Sequence, residues 1–514
     1  MRIPESRLAP SGHQSPTDGG SEVVVSLEIP QDRAHSAPVE RPTHDVIVIG
    51  GGPAGQKAAI QAAKSGSRVV LVEMERRVGG ACVYRGTIPS KTLRESALAL
   101  SQLRHRAPLL AETTPVEDIA VPTLLNRLES VFQAHAVFLS DQLMRNCVEV
   151  QRGRAAFTAP GHIDVHTLRG RVVKLRAPHV VIATGSRPRL PPEIPIDHEH
   201  ILDSDSLLSI AYLPQSLVVL GAGVIASEYA TVFRELGVEV TIVDRGERPV
   251  SFMDPELSLG FVDAFEVAGG RYIPGETIEH IEFDGVASVH THLSSGEILE
   301  SEKVVCALGR LANVERLGLD KLGITLTPRG QIPVDEHYRT VAPGTYAVGD
   351  VIGFPALAST SMEQGRRAAL HIHHEPCPTN FNIVPIGIYT IPEMSSVGSS
   401  EAEVLETYGD VRVGRASFDE VSRAHIQGST HGLLKLVASP EDNRLLGIHI
   451  LGAGAAELVH LGQVAMMAGW TLEQLVETTF NFPTMAEAYR AAALDALNQS
   501  VEDDFLAGFT HAAK

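Results

Sequence analysis

One feature of this 514-residue chain narrows its fold more than any other: a six-residue pattern that occurs twice, in register. The first copy is Gly50-Gly51-Gly52-Pro53-Ala54-Gly55 and the second is Gly221-Ala222-Gly223-Val224-Ile225-Ala226. Each follows a β-branched run, DVIVIG or QSLVVLG, that suits a strand buried on both faces. Each leads into a helical stretch and then a second strand ending on an acid, Glu73 or Asp244. The differences 221−50, 223−52, 226−55 and 244−73 all equal 171. A lone G-x-G-x-x-G can be any glycine-rich turn in an α/β sheet. Two copies at one offset, each closed by an acid 18 residues after the last small residue, predict two dinucleotide-binding βαβ units.

The pattern has a physical reading. The first glycine (Gly50, Gly221) makes a tight turn. The second (Gly52, Gly223) lets the backbone approach a pyrophosphate, and the third small residue (Gly55, Ala226) lets helix pack on strand. The pyrophosphate rests on a helix N-terminus, where unpaired N–H groups and the helix dipole favour anions. Glu73 can accept from ribose hydroxyls. Asp244 favours a free 2′-hydroxyl and so NAD(H), while Arg245 and Arg248 just beyond it suit the 2′-phosphate of NADP(H). Two such units imply two dinucleotides, a resident flavin and an exchanging nicotinamide.

Composition excludes other classes. The chain has 43 Lys+Arg against 62 Asp+Glu, a net charge of −19, so no basic surplus exists to neutralise nucleic-acid phosphates. Four cysteines (Cys82, Cys147, Cys306, Cys377) are too few for a disulfide framework in a chain of this length. No apolar run approaches the ~18–20 residues that cross a bilayer. The N-terminus has no apolar signal segment, so a soluble cytoplasmic protein is expected. Residues 1–43 are rich in Pro, Ser, Gly and His and are expected to be a disordered extension, with Val23–Ile29 at most a stray strand. Further strands are expected in His179–Gly185, Lys303–Gly309 and Gly344–Asp350. The stretch from Ile383 to Gln499 carries no fingerprint and reads as an α+β domain.

The segment Gly79-Gly80-Ala81-Cys82-Val83-Tyr84-Arg85-Gly86-Thr87-Ile88-Pro89-Ser90-Lys91 resembles the active-site stretch of the FAD-dependent pyridine nucleotide-disulfide oxidoreductases. That family includes lipoamide dehydrogenase, glutathione reductase and mercuric reductase. The likeness runs from His44 to Gln499 and includes Ala183–Pro188, Ala307–Asn313 and Thr345–Asp350. It implies an α/β fold of two Rossmann-like dinucleotide-binding domains plus a C-terminal α+β dimerisation domain. The implied division is an extension (1–43), a first FAD-binding part (44–193), an NAD(P)-binding domain (194–312), a central and second FAD-binding part (313–382), an interface domain (383–500) and a tail (501–514). It also implies a homodimer or higher homo-oligomer.

The chain departs from that pattern in its chemistry. Family members carry C-x4-C, whose two cysteines form a redox disulfide; here Cys82 is followed by Thr87, whose hydroxyl cannot form one. They also carry a His-Pro with a Glu five residues after the His; here Phe482 precedes Pro483, and Glu487 is kept. Phenylalanine cannot transfer a proton. In lacking both, and over Gly86–Glu95, Val348–Arg366, Pro385–Gly398 and Phe480–Asn498, the chain is similar to the soluble, Si-specific pyridine nucleotide transhydrogenases. The resemblance implies hydride transfer between NADPH and NAD+ with FAD, NAD(H) and NADP(H) as cofactors. One nicotinamide unit serving both nucleotides implies ping-pong kinetics through the reduced flavin.

For individual residues, the resemblance places Lys91 beside the flavin, paired with Glu228, and Thr87 close by. It gives Asp350 the ribityl chain and adds Gly80, Cys82, Thr184, Gly185 and Gly309 to the cofactor-binding set. Cys82 is read as a leftover packed like a small hydrophobe. Two alternatives stay open: an NAD(P)H reductase using a quinone or dye, and a non-catalytic nucleotide-binding subunit. His371, His373, His374 and Cys377 form a single cluster, which reads as a solvated connector and not a metal site. His460 and Trp470 read as packing residues.

Overall fold

The computed structural model describes residues 42–106, 121–377 and 383–498. The expected stray strand at Val23–Ile29 and the tail from Val501 lie outside them. The first fingerprint sits in a five-stranded parallel sheet ordered Thr345–Ala347, His179–Ile182, Val46–Ile49, Val69–Glu73, Glu149–Arg152. Its central strand alternates perfectly. Val46 and Val48 pack under the helices Pro53–Lys64 and Ala358–Ile372, while Ile47 and Ile49 pack on the opposite face with Phe157, Ile163 and Val165. All four strand residues are buried, which is why the run reads as unbroken hydrophobicity and not as alternation. Full burial of each such side chain contributes about 1.5–3 kcal/mol.

The second fingerprint sits in a matching parallel sheet, ordered Ile201–Asp203, Lys303–Cys306, Ser216–Leu220, Glu239–Val243, Arg271–Ile273. Its register reproduces the first: Val46 lies opposite Val69, and Leu217 opposite Val240, both shifted by 171. The two sheets are joined by a short antiparallel pair, Ser186–Pro188 with Arg310–Ala312, made by the chain leaving the strand beside the central one of each, His179–Ile182 and Lys303–Cys306. A three-stranded antiparallel sheet accompanies each parallel one: Arg154–Arg176 with the first and Ile278–Ser301 with the second.

The C-terminal part is a five-stranded antiparallel sheet ordered Ile386–Ile388, Met394–Gly398, Leu445–Leu451, Leu433–Ala438, Arg412–Ser417. Helix Ala455–Met467 and a helix over 487–498 share a buried core with it. The last helix comes close because its inner face is small: a Cβ on Gly414 would fall 1.9 Å from the Ala492 carbonyl oxygen.

A buried charge cluster fastens this domain to the second nucleotide unit. Lys435 is 2% exposed and its ammonium meets Asp254 (2.9 Å), Glu256 (2.6 Å) and Glu401 (2.7 Å). Arg415 grips Glu256 with two bonds, at 2.7 and 2.8 Å. Asp254 also caps the helix Pro255–Val267 through the Glu256 N–H. A lysine this deep needs its carboxylates, because an unpaired buried charge costs several kcal/mol. The Arg415 guanidinium, with Lys435, holds Glu256 far below its ordinary value of 4.5, at about 2. Because the folded value is the lower one, this stabilisation is complete above about pH 4.5 and is lost as pH falls toward 2. Glu256→Gln is therefore expected to lower the neutral-pH Tm and to flatten its decline between those two pH values. Scanning calorimetry across the range checks this, and an unaltered acid limb contradicts it.

Candidate active site

Both fingerprints open on one cleft of about 1880 Å³. From the first unit it is lined by Gly50, Gly52, Glu73, Gly80, Cys82, Thr87, Lys91, Thr184, Gly185 and Asp350. From the second it is lined by Gly221, Gly223, Glu228, Asp244, Arg245 and Gly309. Gly55 and Ala226 do not line it. A Cβ on Gly55 would lie 1.9 Å from the Gly50 carbonyl oxygen, and Ala226 is fully buried, so both act in seating the helix on its strand.

The cleft wall is suited to an extended anionic ligand. The helices Pro53–Lys64 and Val224–Glu235 start from Gly52 and Gly223 with no side-chain cap. Two other helices do carry a side-chain cap, Asp254 before Pro255–Val267 and Ser400 before Glu401–Tyr408. Bare N–H groups are thus left at the two turns where a pyrophosphate would sit. Gly80, at φ +62°, presses its backbone against Gly52, and a Cβ there would fall 2.8 Å from the Gly52 Cα. At Gly185, Gly223 and Gly309 a Cβ would meet no protein atom within 4 Å. Peptide edges therefore face the cleft without side chains, and this donor set fits FAD in the first unit and a nicotinamide dinucleotide in the second.

The two closing acids do something the sequence does not announce. Glu73 accepts the N–H groups of Gly51 and Glu75, both at 2.7 Å. Asp244 accepts those of Ala222 (3.2 Å) and Gly246 (2.9 Å), the same two positions shifted by 171. Each acid first braces its own glycine turn. The lone pairs left over on each carboxylate remain for a ribose. Burial pushes the Glu73 carboxyl up, and the two N–H bonds oppose that.

Beyond Asp244 the arginines divide. Arg245 is exposed and lines the cleft. Arg248 corrects the sequence expectation: its guanidinium turns inward to the carbonyls of Met253 (3.0 Å) and Ser251 (2.9 Å) and to the Ser258 hydroxyl (3.2 Å). It is engaged in holding the loop, and Arg245 is the guanidinium of the two that lines the cleft.

Lys91, on the helix Thr87–Arg106, meets Glu228 on the helix Val224–Glu235 at 2.6 Å. Glu228 is 7% exposed and Lys91 25%. The second Glu228 oxygen accepts the Tyr389 N–H at 2.9 Å, and the Lys91 ammonium lies 4.8 Å from the Tyr389 ring centroid. Cys82 is a free, half-buried thiol with the Thr87 hydroxyl and the Lys91 charge nearby. Burial pushes this thiol up, against the influence of both neighbours, so it stays protonated at neutral pH and is a poor nucleophile. Asp350 accepts the Ser186 hydroxyl at 2.7 Å, and Ser186 in turn receives Arg310 at 2.8 Å. Thr184 and Asn313 exchange two hydrogen bonds, at 2.7 and 3.0 Å, which close the two strands' exits on each other. Phe482 is 73% exposed, and Glu487 accepts the Thr484 N–H at 3.4 Å.

Tyr389, Ser186 and Arg310 were not foreseen. Ser186 and Arg310 directly follow the motif glycines Gly185 and Gly309, a signal that could have found them. Tyr389 belongs to the C-terminal domain and only tertiary structure brings it in. His460 corrects the expectation of a packing role: it is exposed, lines the cleft and bonds Gln463 at 2.9 Å. Trp470 does pack against the C-terminal core. His371 stacks on His337 and bonds the Tyr346 hydroxyl (3.0 Å), while His373 bonds Ser67 (3.0 Å).

The chain matches the pyridine nucleotide-disulphide oxidoreductase family over residues 44–365 and that family's dimerisation domain over 384–493. A soluble pyridine nucleotide transhydrogenase of Mycobacterium bovis (strain BCG / Pasteur) is 42% identical over 463 residues, 89% of this chain and 97% of the relative. One from Pseudomonas fluorescens (strain Pf-5) is 41% identical over 460 residues, 89% and 98% of the two chains. Among solved structures, LpdA from Mycobacterium tuberculosis superposes with a TM-score of 0.81 at 29% identity, covering 87% of this chain and 99% of LpdA. A Cu(II) complex of the flavoprotein disulfide reductase RclA from Escherichia coli gives 0.79 at 25%, covering 88% and 98%.

Two substitutions probe the cleft directly. Arg245→Ala is expected to weaken a 2′-phosphorylated dinucleotide about tenfold while leaving the unphosphorylated one within about twofold, the scale of one charge-assisted hydrogen bond. Equilibrium titration with both nucleotides measures it, and equal losses for the two would refute the assignment. Cys82→Ser is expected to slow hydride transfer less than about tenfold, as for a thiol that only packs. A far larger loss in stopped-flow kinetics would show that the sulfur takes part.

Proposed function

The chain belongs to the pyridine nucleotide-disulphide oxidoreductase family, and from that premise we propose how its cleft works as a transhydrogenase without a redox disulfide. It transfers hydride between NADPH and NAD+, using FAD, as a homodimer. FAD, when bound, supplies the two-electron chemistry, taking hydride from one nicotinamide and giving it to the other.

The observation that carries the reading is a lone free Cys82, with Thr87 in the position of its partner sulfur, lining the cleft with the Lys91–Glu228 pair. The family's active-site segment is in place, but its second sulfur is a hydroxyl, and all four cysteines of the chain are free. Electrons delivered to this cleft have no dithiol to move to. The exposed Phe482, at the position of the family's proton-transferring His, fits the same loss, since a thiol relay that is absent needs no acid or base.

The residues of the chain then have these tasks. Gly50, Gly52 and Gly80, with Glu73 bracing the turn, cradle the first dinucleotide's phosphates. Asp350, oriented by Ser186, accepts from its sugar-alcohol chain. Gly221 and Gly223, braced by Asp244, do the same for the nicotinamide nucleotide, and Arg245 answers a 2′-phosphate when one is present. Lys91 keeps a fixed positive charge in the cleft that favours an electron-rich neighbour, and Glu228 keeps that charge paired and placed. Thr87 offers a hydroxyl in place of a thiolate. The proposal includes transfer on the Si side. No described helix is long and apolar enough to cross a membrane, and the relatives are named soluble, so we place the enzyme in the cytoplasm.

An anaerobic titration tests the function. NADPH is expected to bleach the flavin absorbance and NAD+ to restore it fully, with parallel double-reciprocal plots at steady state. Bleaching that NAD+ leaves unreversed would point to another acceptor, and a purified protein without flavin absorbance would exclude the whole reading.

A further inference from the structure

We propose that Tyr389 is a positioning residue for Lys91: from the C-terminal domain, its backbone fixes Glu228 and its ring fixes the ammonium that Glu228 pairs with. The inference rests on the hydride-transfer reading of the cleft and adds a part to it. Three contacts carry it. Glu228 divides its oxygens, one taking Lys91 at 2.6 Å and the other the Tyr389 N–H at 2.9 Å, which removes the carboxylate's freedom to turn. The Lys91 ammonium stands 4.8 Å from the Tyr389 ring centroid, inside the ~6 Å range of a cation–π contact. Among the described residues its other hydrogen-bond partner, Ser90, is a weak one at 3.3 Å. Ring, ammonium and carboxylate all line the cleft.

The segment that carries the ring is itself fastened to both helices. Arg94, buried on the Lys91 helix, bonds the Thr390 carbonyl (3.3 Å) and Glu393 (2.9 Å). Thr231, one turn beyond Glu228, accepts the Ile391 N–H at 3.2 Å. Tyr389 therefore cannot shift unless both helices do. A ring held this rigidly offers Lys91 its negative face at a fixed place, which an aliphatic side chain of similar breadth would not. The proposal uses the ring and the backbone N–H and makes no use of the phenol hydroxyl.

The test compares Tyr389→Leu, Tyr389→Met and Tyr389→Phe holoenzymes. Leu and Met fill space without a π face; Phe keeps the face and loses only the hydroxyl. In the Leu and Met variants, reduction by NADPH is expected to slow about tenfold with KM within about twofold, as the cation–π contact is lost. The reduced-to-oxidised flavin ratio at a fixed solution potential is expected to fall about tenfold as well, a shift of about 30 mV to more negative potential. Tyr389→Phe is expected to recover both. A wild-type potential in Leu and Met, or a Phe variant as impaired as they are, overturns the proposal. The potential can be set with a chemical reductant in place of NADPH. Failure of the wild-type protein to react with nicotinamides would thus sink the functional reading while leaving the Tyr389 test intact.

Discussion

The Lys91–Glu228 ion pair is the constraint on which the arrangement of the domains depends. Its cation comes from the helix that follows the first fingerprint's active-site segment, its anion from the helix of the second fingerprint, and the anion's other oxygen is held by the C-terminal domain. Three parts of the chain thus meet at one carboxylate that is 7% exposed. Such a pair is weak evidence for stability, because desolvation offsets most of the Coulombic gain. It is strong evidence for geometry, because removing any one partner strands a charge in a poorly solvated place. The Lys435 cluster repeats the device on the far side of the same interface, with one buried lysine shared by acids of two domains.

The 171-residue repeat goes deeper than a shared motif. Strand register, helix start, and both hydrogen bonds made by the closing acid recur at the same offset. The acid at the end of the second strand therefore has a structural reason to exist before any ligand arrives. It satisfies two peptide N–H groups of a turn that glycine makes tight and leaves without side chains. That explains why Glu and Asp both serve: what the turn needs is two carboxylate oxygens at the end of a strand. The difference in length between them bears on the ribose, where the reach of the leftover lone pairs differs.

What was legible in the sequence follows from the range of the interactions involved. The buried strands Val46–Ile49 and Ser216–Leu220, the helix starts at Gly52 and Gly223, and the segment from Gly79 to Lys91 are set by local sterics, and their residues announce them. The pairing of Lys91 with Glu228 came by resemblance and was found at 2.6 Å. Arg248 was misjudged because a guanidinium beside a nucleotide site looks the same in sequence whether it faces the ligand or the loop's own carbonyls. His460 was misjudged because an apolar helix conceals which of its residues looks outward. Tyr389 had no local signal: it lies 161 positions from Glu228, and only the packing of the C-terminal sheet delivers it.

The substitution of Thr87 for a second sulfur changes more than the fate of the electrons. A redox disulfide next to the flavin would be a second store, and the cleft would have to bind nicotinamide on one side while a dithiol worked on the other. With the half-buried Cys82 thiol pushed toward its protonated form and facing a hydroxyl residue in place of a second sulfur, that second side is chemically quiet. Selection on the nicotinamide unit then changes character. It must bind two nucleotides that differ by a 2′-phosphate, and must hold neither so tightly that the other cannot follow. A single exposed arginine beside a self-braced aspartate suits that demand. A second cleft-facing guanidinium at this point would tighten the hold on a 2′-phosphate, and Arg248, turned to the Met253 and Ser251 carbonyls, does not supply one. In the function proposed above, the loop is a clamp with one arginine and not two, and modest discrimination at that point would let a single site serve both halves of the exchange.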